Sequence, residues 1–108
     1  LDVEDSTAGN GQGRTDNISN TQRTDAVRGF IDRMNQYGYK PVIYANLDYL
    51  TNRLDLSKWS NYDIWLAHWT YDFNKKSSYN GAYTFWQYHD CGNVAGINGC
   101  VDLDLSYN

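Results

Sequence analysis

The chain has 108 residues, of which 41% are hydrophobic and 20% charged, with a formal net charge of -4. That suffices for one modest domain with a packed core and argues against long disorder. No basic stripe is available to neutralise phosphates, so nucleic acid is excluded as a partner class. No apolar run approaches the roughly 18 residues that a membrane helix needs, so membrane insertion is not expected.

In chain order, Leu1-Asp2-Val3-Glu4 alternates apolar and acidic residues and predicts a strand with both acids on one face. Asp5 to Asn20 is rich in Gly, Ser, Thr, Asn and Asp and reads as an irregular loop. Val27, Phe30, Ile31 and Met34 fall at i, i+3, i+4 and i+7 and predict a helix. Ser19 or Asn20 is placed to cap its start, and Gly38 to stop it. Lys40 to Ala45 predicts a short strand, with Pro41 at its tolerated first position. Leu47, Leu50 and Leu54 suggest a second, shorter helix. Three strands follow with little helical sequence between them: 63–69, apolar on both faces as in a strand covered on both sides, then 83–88, then 101–105. Strand–helix alternation points to parallel α/β structure, with a helix-poor end.

Seventeen aromatic rings, from four Trp, ten Tyr and three Phe, fit either a ring-rich core or a sugar-binding cleft. Flat rings stack on the apolar faces of pyranoses while Tyr and Trp keep a polar handle. Composition alone does not choose between the two. Cys91 and Cys100 bracket a glycine-rich turn and are expected to bond, the other reading being two reduced thiols. A bond there would close a small loop and indicate an oxidising, extracytoplasmic setting. Two Cys and the nearby His89 are too few ligands for a zinc site, and no metal is expected.

The chemistry lies in the acidic strands. Val101-Asp102-Leu103-Asp104-Leu105 repeats the alternation of the opening segment. In a barrel the aliphatic face would meet the helices, and the acids would face the interior or its mouth. Carboxylates held there are unfavourable unless used or paired, and their clustering raises at least one pKa, as a general acid requires. Asp2 and Glu4 lie roughly 6.6 Å apart along a strand, compatible with paired-carboxylate glycoside chemistry of either stereochemical outcome. Strand-end acids facing solvent remain the alternative for either motif taken singly.

The segments LDVE at 1–4, PVIYAN at 41–46, DIWLAHW at 63–69, TFWQY at 84–88 and GNVAGINGCVDLD at 92–104 together resemble glycoside hydrolase family 25, the Chalaropsis-type lysozymes or N-acetylmuramidases. The motifs occur in family order and span the whole chain. The resemblance implies a TIM-like (β/α)5(β)3 barrel whose last three strands lack helices. Leu1 falls at the fourth strand. The expectation is therefore that residues 1–108 are a partial catalytic domain, its C-terminal portion, with five strands and about two helices, the first three strands being absent.

By the same resemblance Glu4 is the general acid. Asp2 supports the substrate's acetamido group or tunes the acid, and Asp102 completes the acidic cluster. Tyr44, Trp65 and Gln87 line the groove, as does Trp69, which stands where tyrosine is common. Asp104 stands where asparagine is usual, and a further family aspartate on the first strand has no counterpart here. The implied activity is hydrolysis of the β-1,4 bond between N-acetylmuramic acid and N-acetylglucosamine in peptidoglycan, without cofactor. The implied setting is extracellular or at the cell wall, in a phage endolysin, an autolysin or a spore-cortex enzyme. The partners are peptidoglycan glycan strands and, in one reading, a second chain supplying the missing strands. Two other classes stand beside this: a non-catalytic glycan-binding module with idle acids, and an inactive structural half-barrel.

Overall fold

A computed structural model of the chain describes residues 1–6 and 13–107. The middle of the expected loop, residues 7–12, lies outside the described residues. The predicted helix forms as α1, Asn20–Gln36. Ser19 is its cap: its hydroxyl accepts from the Gln22 N–H at 3.1 Å, and the Gln22 side chain accepts from the Ser19 N–H at 2.9 Å. This reciprocal pair satisfies two donors that a helix start otherwise leaves bare. The helix ends at Tyr37, and Gly38 takes φ +80°, a left-handed turn that glycine adopts without a Cβ penalty.

Four strands make one sheet in chain order: β1 Val42–Asn46, β2 Asp63–Ala67, β3 Phe85–Gly92 and β4 Val101–Ser106. β1, β2 and β3 run parallel, with Tyr44 opposite Trp65 and Ala67 opposite Gln87. β4 is antiparallel to β3, departing from the all-parallel reading. The reason is connection length: residues 93–100 alone join the two strands, too short for a crossover but ample for a hairpin. The disulfide Cys91–Cys100 closes the base of this hairpin.

Three further expectations are adjusted. The opening segment is not a full strand but a single parallel bridge, Asp2 to Tyr44, so the sheet has four strands rather than five. Its backbone still follows β1, with Tyr44 N–H donating to Leu1 O at 2.8 Å and Val3 N–H to Tyr44 O at 2.9 Å. The second helix is one π-turn, Tyr49–Arg53, closed by Leu54 N–H donating to Tyr49 O. The third and fourth predicted strands move by a few residues. β2 stops at Ala67, and β3 starts at Phe85 and runs on to Gly92 because the hairpin extends its pairing.

One sheet face packs on α1. Val27 and Ile31 of the helix meet Ile43, Ala45, Ile64, Leu66 and Trp86 of the strands, with Tyr49, Leu54 and Leu56 closing the cluster. Period-2 alternation therefore sends Tyr44, Trp65 and Gln87 to the other face. β2 is not covered on both sides: Trp65 is 37% exposed, because the face opposite α1 lines a groove instead of meeting a second helical layer. Among the described residues the opening segment pairs only with β1, and β4 only with β3, so each leaves one backbone edge unpaired.

Candidate active site

The groove on the far face has a volume of about 590 Å³ and is lined by Leu1, Asp2, Glu4, Val42, Tyr44, Trp65, Gln87, Asp102 and Asp104. Six of the seven residues that the sequence nominated for catalysis or sugar binding thus share one cavity. Trp69, the seventh, lines a neighbouring recess and reaches the groove by a hydrogen bond.

The local chain explains how the acids arrive there. Asp2 and Glu4 take the groove face because Val3, between them, packs toward the core. On one side of Glu4 the backbone is fixed to β1 through Val3. On the other, Asp5 accepts a 2.6 Å hydrogen bond from the Tyr49 hydroxyl and lies 3.4 Å from the Arg53 guanidinium. The Tyr49 ring is itself held between Arg23 and Arg53, whose guanidinium carbons lie 5.2 and 4.9 Å from its centroid. Sequence reasoning did not find this brace. Asp5 adjoins the acidic motif, but nothing in the sequence pairs it with a residue of the π-turn.

Electrostatics follow from the crowding. The Glu4 carboxyl is held above its ordinary range, first by desolvation against the groove wall, then by the Asp2 charge and a hydrogen bond with Asp2, then by the Asp5 charge. Glu4 therefore retains its proton to higher pH than a free glutamate, which suits an acid. Burial pushes Asp104 up, the Trp65 indole N–H opposes this, and the Asp102 charge reinforces it. That indole donates to Asp104 at 2.7 Å, so the aspartate at this position fixes the Trp65 ring. Burial, followed by the charges of Glu4, Asp2 and Asp102, pushes the Tyr44 phenol up to about 12, so it is neutral at working pH.

Gln87 sets the polarity of the floor. It is 5% exposed, and its Oε1 lies 2.9 Å from Trp69 Nε1 and 2.8 Å from Tyr44 Oη. An indole N–H can only donate, so the atom facing it is the amide oxygen. Tyr44, bonded to that same oxygen, must then donate its hydroxyl proton to it. The lone pairs of the Tyr44 oxygen are left to accept from the groove. The site thus presents carboxyl groups, of which Glu4 and Asp104 are held above their ordinary range, with a neutral acceptor and fixed aromatic walls. These are the elements of acid-catalysed attack on an acetal. Among the described residues no group of three or more His, Cys, Asp or Glu is arranged to hold a metal ion.

The chain is similar to known proteins in sequence and in fold. The model of glycosyl hydrolases family 25 matches residues 1–97. A relative from Escherichia coli O157:H7, called uncharacterized protein YegX, is 36% identical over 69 residues, covering 63% of this chain and 24% of that protein. The chain thus spans about a quarter of the length of this curated relative. Among solved structures, the bacterial lysozyme of Streptomyces coelicolor superposes with a TM-score of 0.74 at 26% identity, covering 100% of this chain and 50% of that one. The catalytic domain of endolysin ply40, from bacteriophage P40 of Listeria monocytogenes, does so at 0.61 and 28% identity, covering 77% and 41%. The family match and the convergence of acids and aromatics in one groove agree: the chain belongs to family 25 of the glycosyl hydrolases.

Proposed function

We propose that this chain carries the acidic half of a muramidase site, which cleaves the β-1,4 bond between N-acetylmuramic acid and N-acetylglucosamine in peptidoglycan outside the cytoplasm. The observation that carries the reading is the placing of Asp2, Glu4 and Asp102 in one groove with Tyr44, Trp65 and Gln87. Family membership supports hydrolysis of a glycosidic bond. The lysozyme and endolysin neighbours support a cell-wall substrate and action at the wall.

In this mechanism Glu4, which holds its proton to higher pH than a free glutamate, donates that proton to the leaving glycosidic oxygen as the bond to the anomeric carbon breaks. Positive charge develops on the ring oxygen and anomeric carbon. Asp2, beside Glu4, stabilises it directly or through the 2-acetamido group. Asp102 adds negative potential from the opposite wall. Trp65, fixed by Asp104, and Tyr44, fixed by Gln87, shape the groove around the sugar. Water completes hydrolysis. The described residues form the C-terminal strands of a barrel whose other strands complete the wall, in keeping with a match to half of the Streptomyces coelicolor structure.

The test uses Glu4→Gln in the intact protein on purified peptidoglycan. Turnover should fall roughly 10²–10⁴-fold with the fold retained. Mass spectrometry of the wild-type products should find muramic acid at the new reducing ends. Glucosamine at those ends, or activity within a few-fold of wild type in the variant, would refute the assignment. A protein that binds glycan strands but releases no reducing ends would instead be a binding module.

A further inference from the structure

Among the described residues, the backbone ladder that holds the opening segment to β1 ends at the Val3 N–H, one residue short of Glu4. Side chains fix the chain beyond that point. Asp5 accepts from the Tyr49 hydroxyl at 2.6 Å, and the Arg53 guanidinium stands 3.4 Å away. At Ser6 the backbone N–H and the hydroxyl both donate to Asp16, at 2.9 and 2.6 Å. Glu4 thus sits between a backbone tie on one side and two successive side-chain ties on the other.

The tie to Tyr49 is set into the core. Tyr49 is 1% exposed and belongs to the buried cluster with Ile43, Ala45 and Leu54. Its backbone N–H donates to Asn46 Oδ1 at 2.8 Å, and Leu54 N–H closes the π-turn on its carbonyl at 2.9 Å. Its ring is held between the Arg23 and Arg53 guanidiniums. Phenylalanine would fill that volume without burying a hydroxyl, which is unfavourable unless the hydroxyl finds a partner. Here the partner is Asp5, an exposed residue next to the acid. Burial, then the bond to Asp5 and its charge, push the phenol pKa up, so the hydroxyl stays a donor at working pH. Single π-turns recur at functional sites.

We infer that Tyr49 is a positioning residue for the acid: through Asp5, its buried phenol fixes where the chain leaves Glu4, and with it the direction of the Glu4 carboxyl. Arg53 backs it, because the guanidinium over the Tyr49 ring is itself anchored by Asp48 at 2.7 Å. Tyr49 does not line the groove, so it acts on the acid and not on the sugar. The inference rests on the reading of Glu4 as the acid and adds the device that aims it. A general acid works only within hydrogen-bond reach of the leaving oxygen, and a displacement of about 1 Å can cost about 10²-fold.

The test is steady-state kinetics of the intact protein on purified peptidoglycan. Tyr49→Phe removes the hydroxyl and keeps the ring. It should lower kcat about tenfold and leave KM within about twofold, because aim matters only as the transition state forms. Asp5→Ala should do the same. The two together should cost no more than either alone, since both cut one tie. Tyr62→Phe is the control for a lost phenol bond. Its hydroxyl donates to Leu56 O at 3.2 Å, outside the groove, and its removal should not move kcat. An unchanged kcat in Tyr49→Phe, a loss confined to KM, or losses that multiply in the double variant overturns the role. Equal falls in kcat for Tyr49→Phe and Tyr62→Phe make Tyr49 an ordinary packing residue and overturn it too. Any of these results beside an inactive Glu4→Gln sinks the positioning role alone. An active Glu4→Gln removes the acid itself, and the role with it.

Discussion

Replacing Gln87 by leucine tests the reading of the groove floor most directly. The side chain is nearly buried, and one oxygen accepts from both Trp69 and Tyr44. Leucine fills similar space but accepts nothing, so two donors are orphaned. An unsatisfied buried donor costs about 1–3 kcal/mol. Tyr44, half-buried, falls inside that range. Trp69, at 46% exposure, can turn to water and falls at its low end. The expected loss is about 2–4 kcal/mol, short of the 5–15 kcal/mol that typically separates folded from unfolded domains. Urea denaturation of the intact protein measures it. In a Tyr44→Phe background one orphan no longer exists, so the same change should cost less, a coupling of about 0.5–2 kcal/mol. Activity carries a second signature. Freed from Gln87, the Tyr44 hydroxyl can donate to the carboxylates, which favours their ionised form and lowers the pKa of Glu4. The alkaline limb of the pH–rate profile should then move to lower pH. A stability within 0.5 kcal/mol of wild type, strictly additive losses in the double variant or an unmoved alkaline limb would show that Gln87 does not hold Tyr44 as described.

The remaining predictions concern the acids, the staple and the sheet edges. Asp2→Asn removes both a charge and a carboxyl partner that raise Glu4, so the acid should lose its proton at lower pH. The alkaline limb of kcat/KM should shift down with it, and an upward shift would contradict the electrostatics. Replacing Cys91 and Cys100 by serine opens a loop of sequence separation 9. Loop entropy predicts a loss of roughly 2.5–3 kcal/mol, or about 10 °C or more in Tm, by calorimetry. An unchanged Tm would mean that the hairpin holds without its staple. Residues 1–108 expressed alone should pair through the free edges of the opening segment and β4, and should be inactive. Light scattering that shows a monodisperse monomer, with lysis of cell walls, would refute this.

What the sequence determined by itself was local and periodic. The 3.6-residue spacing of Val27, Ile31 and their neighbours placed α1, and Ser19 its start. The two-residue alternation at Leu1–Glu4 and at 101–105 put the acids on one face before any partner strand was known. Side-chain direction is a property of the extended backbone alone. The motif set was specific enough to name the family. What the sequence did not determine required knowing what lies across the sheet. The antiparallel β4 follows from a hairpin closed in space. The exposed ring of Trp65 follows from a groove where a second covering layer was expected. The Asp5–Tyr49 brace, the shared oxygen of Gln87 and the Asp104 bond to Trp65 join residues 44, 43 and 39 positions apart, with Trp69 joining Gln87 from 18. No periodicity encodes such pairs. They exist because parallel pairing brings Tyr44, Trp65 and Gln87 side by side, and only the tertiary register decides which donor meets which acceptor.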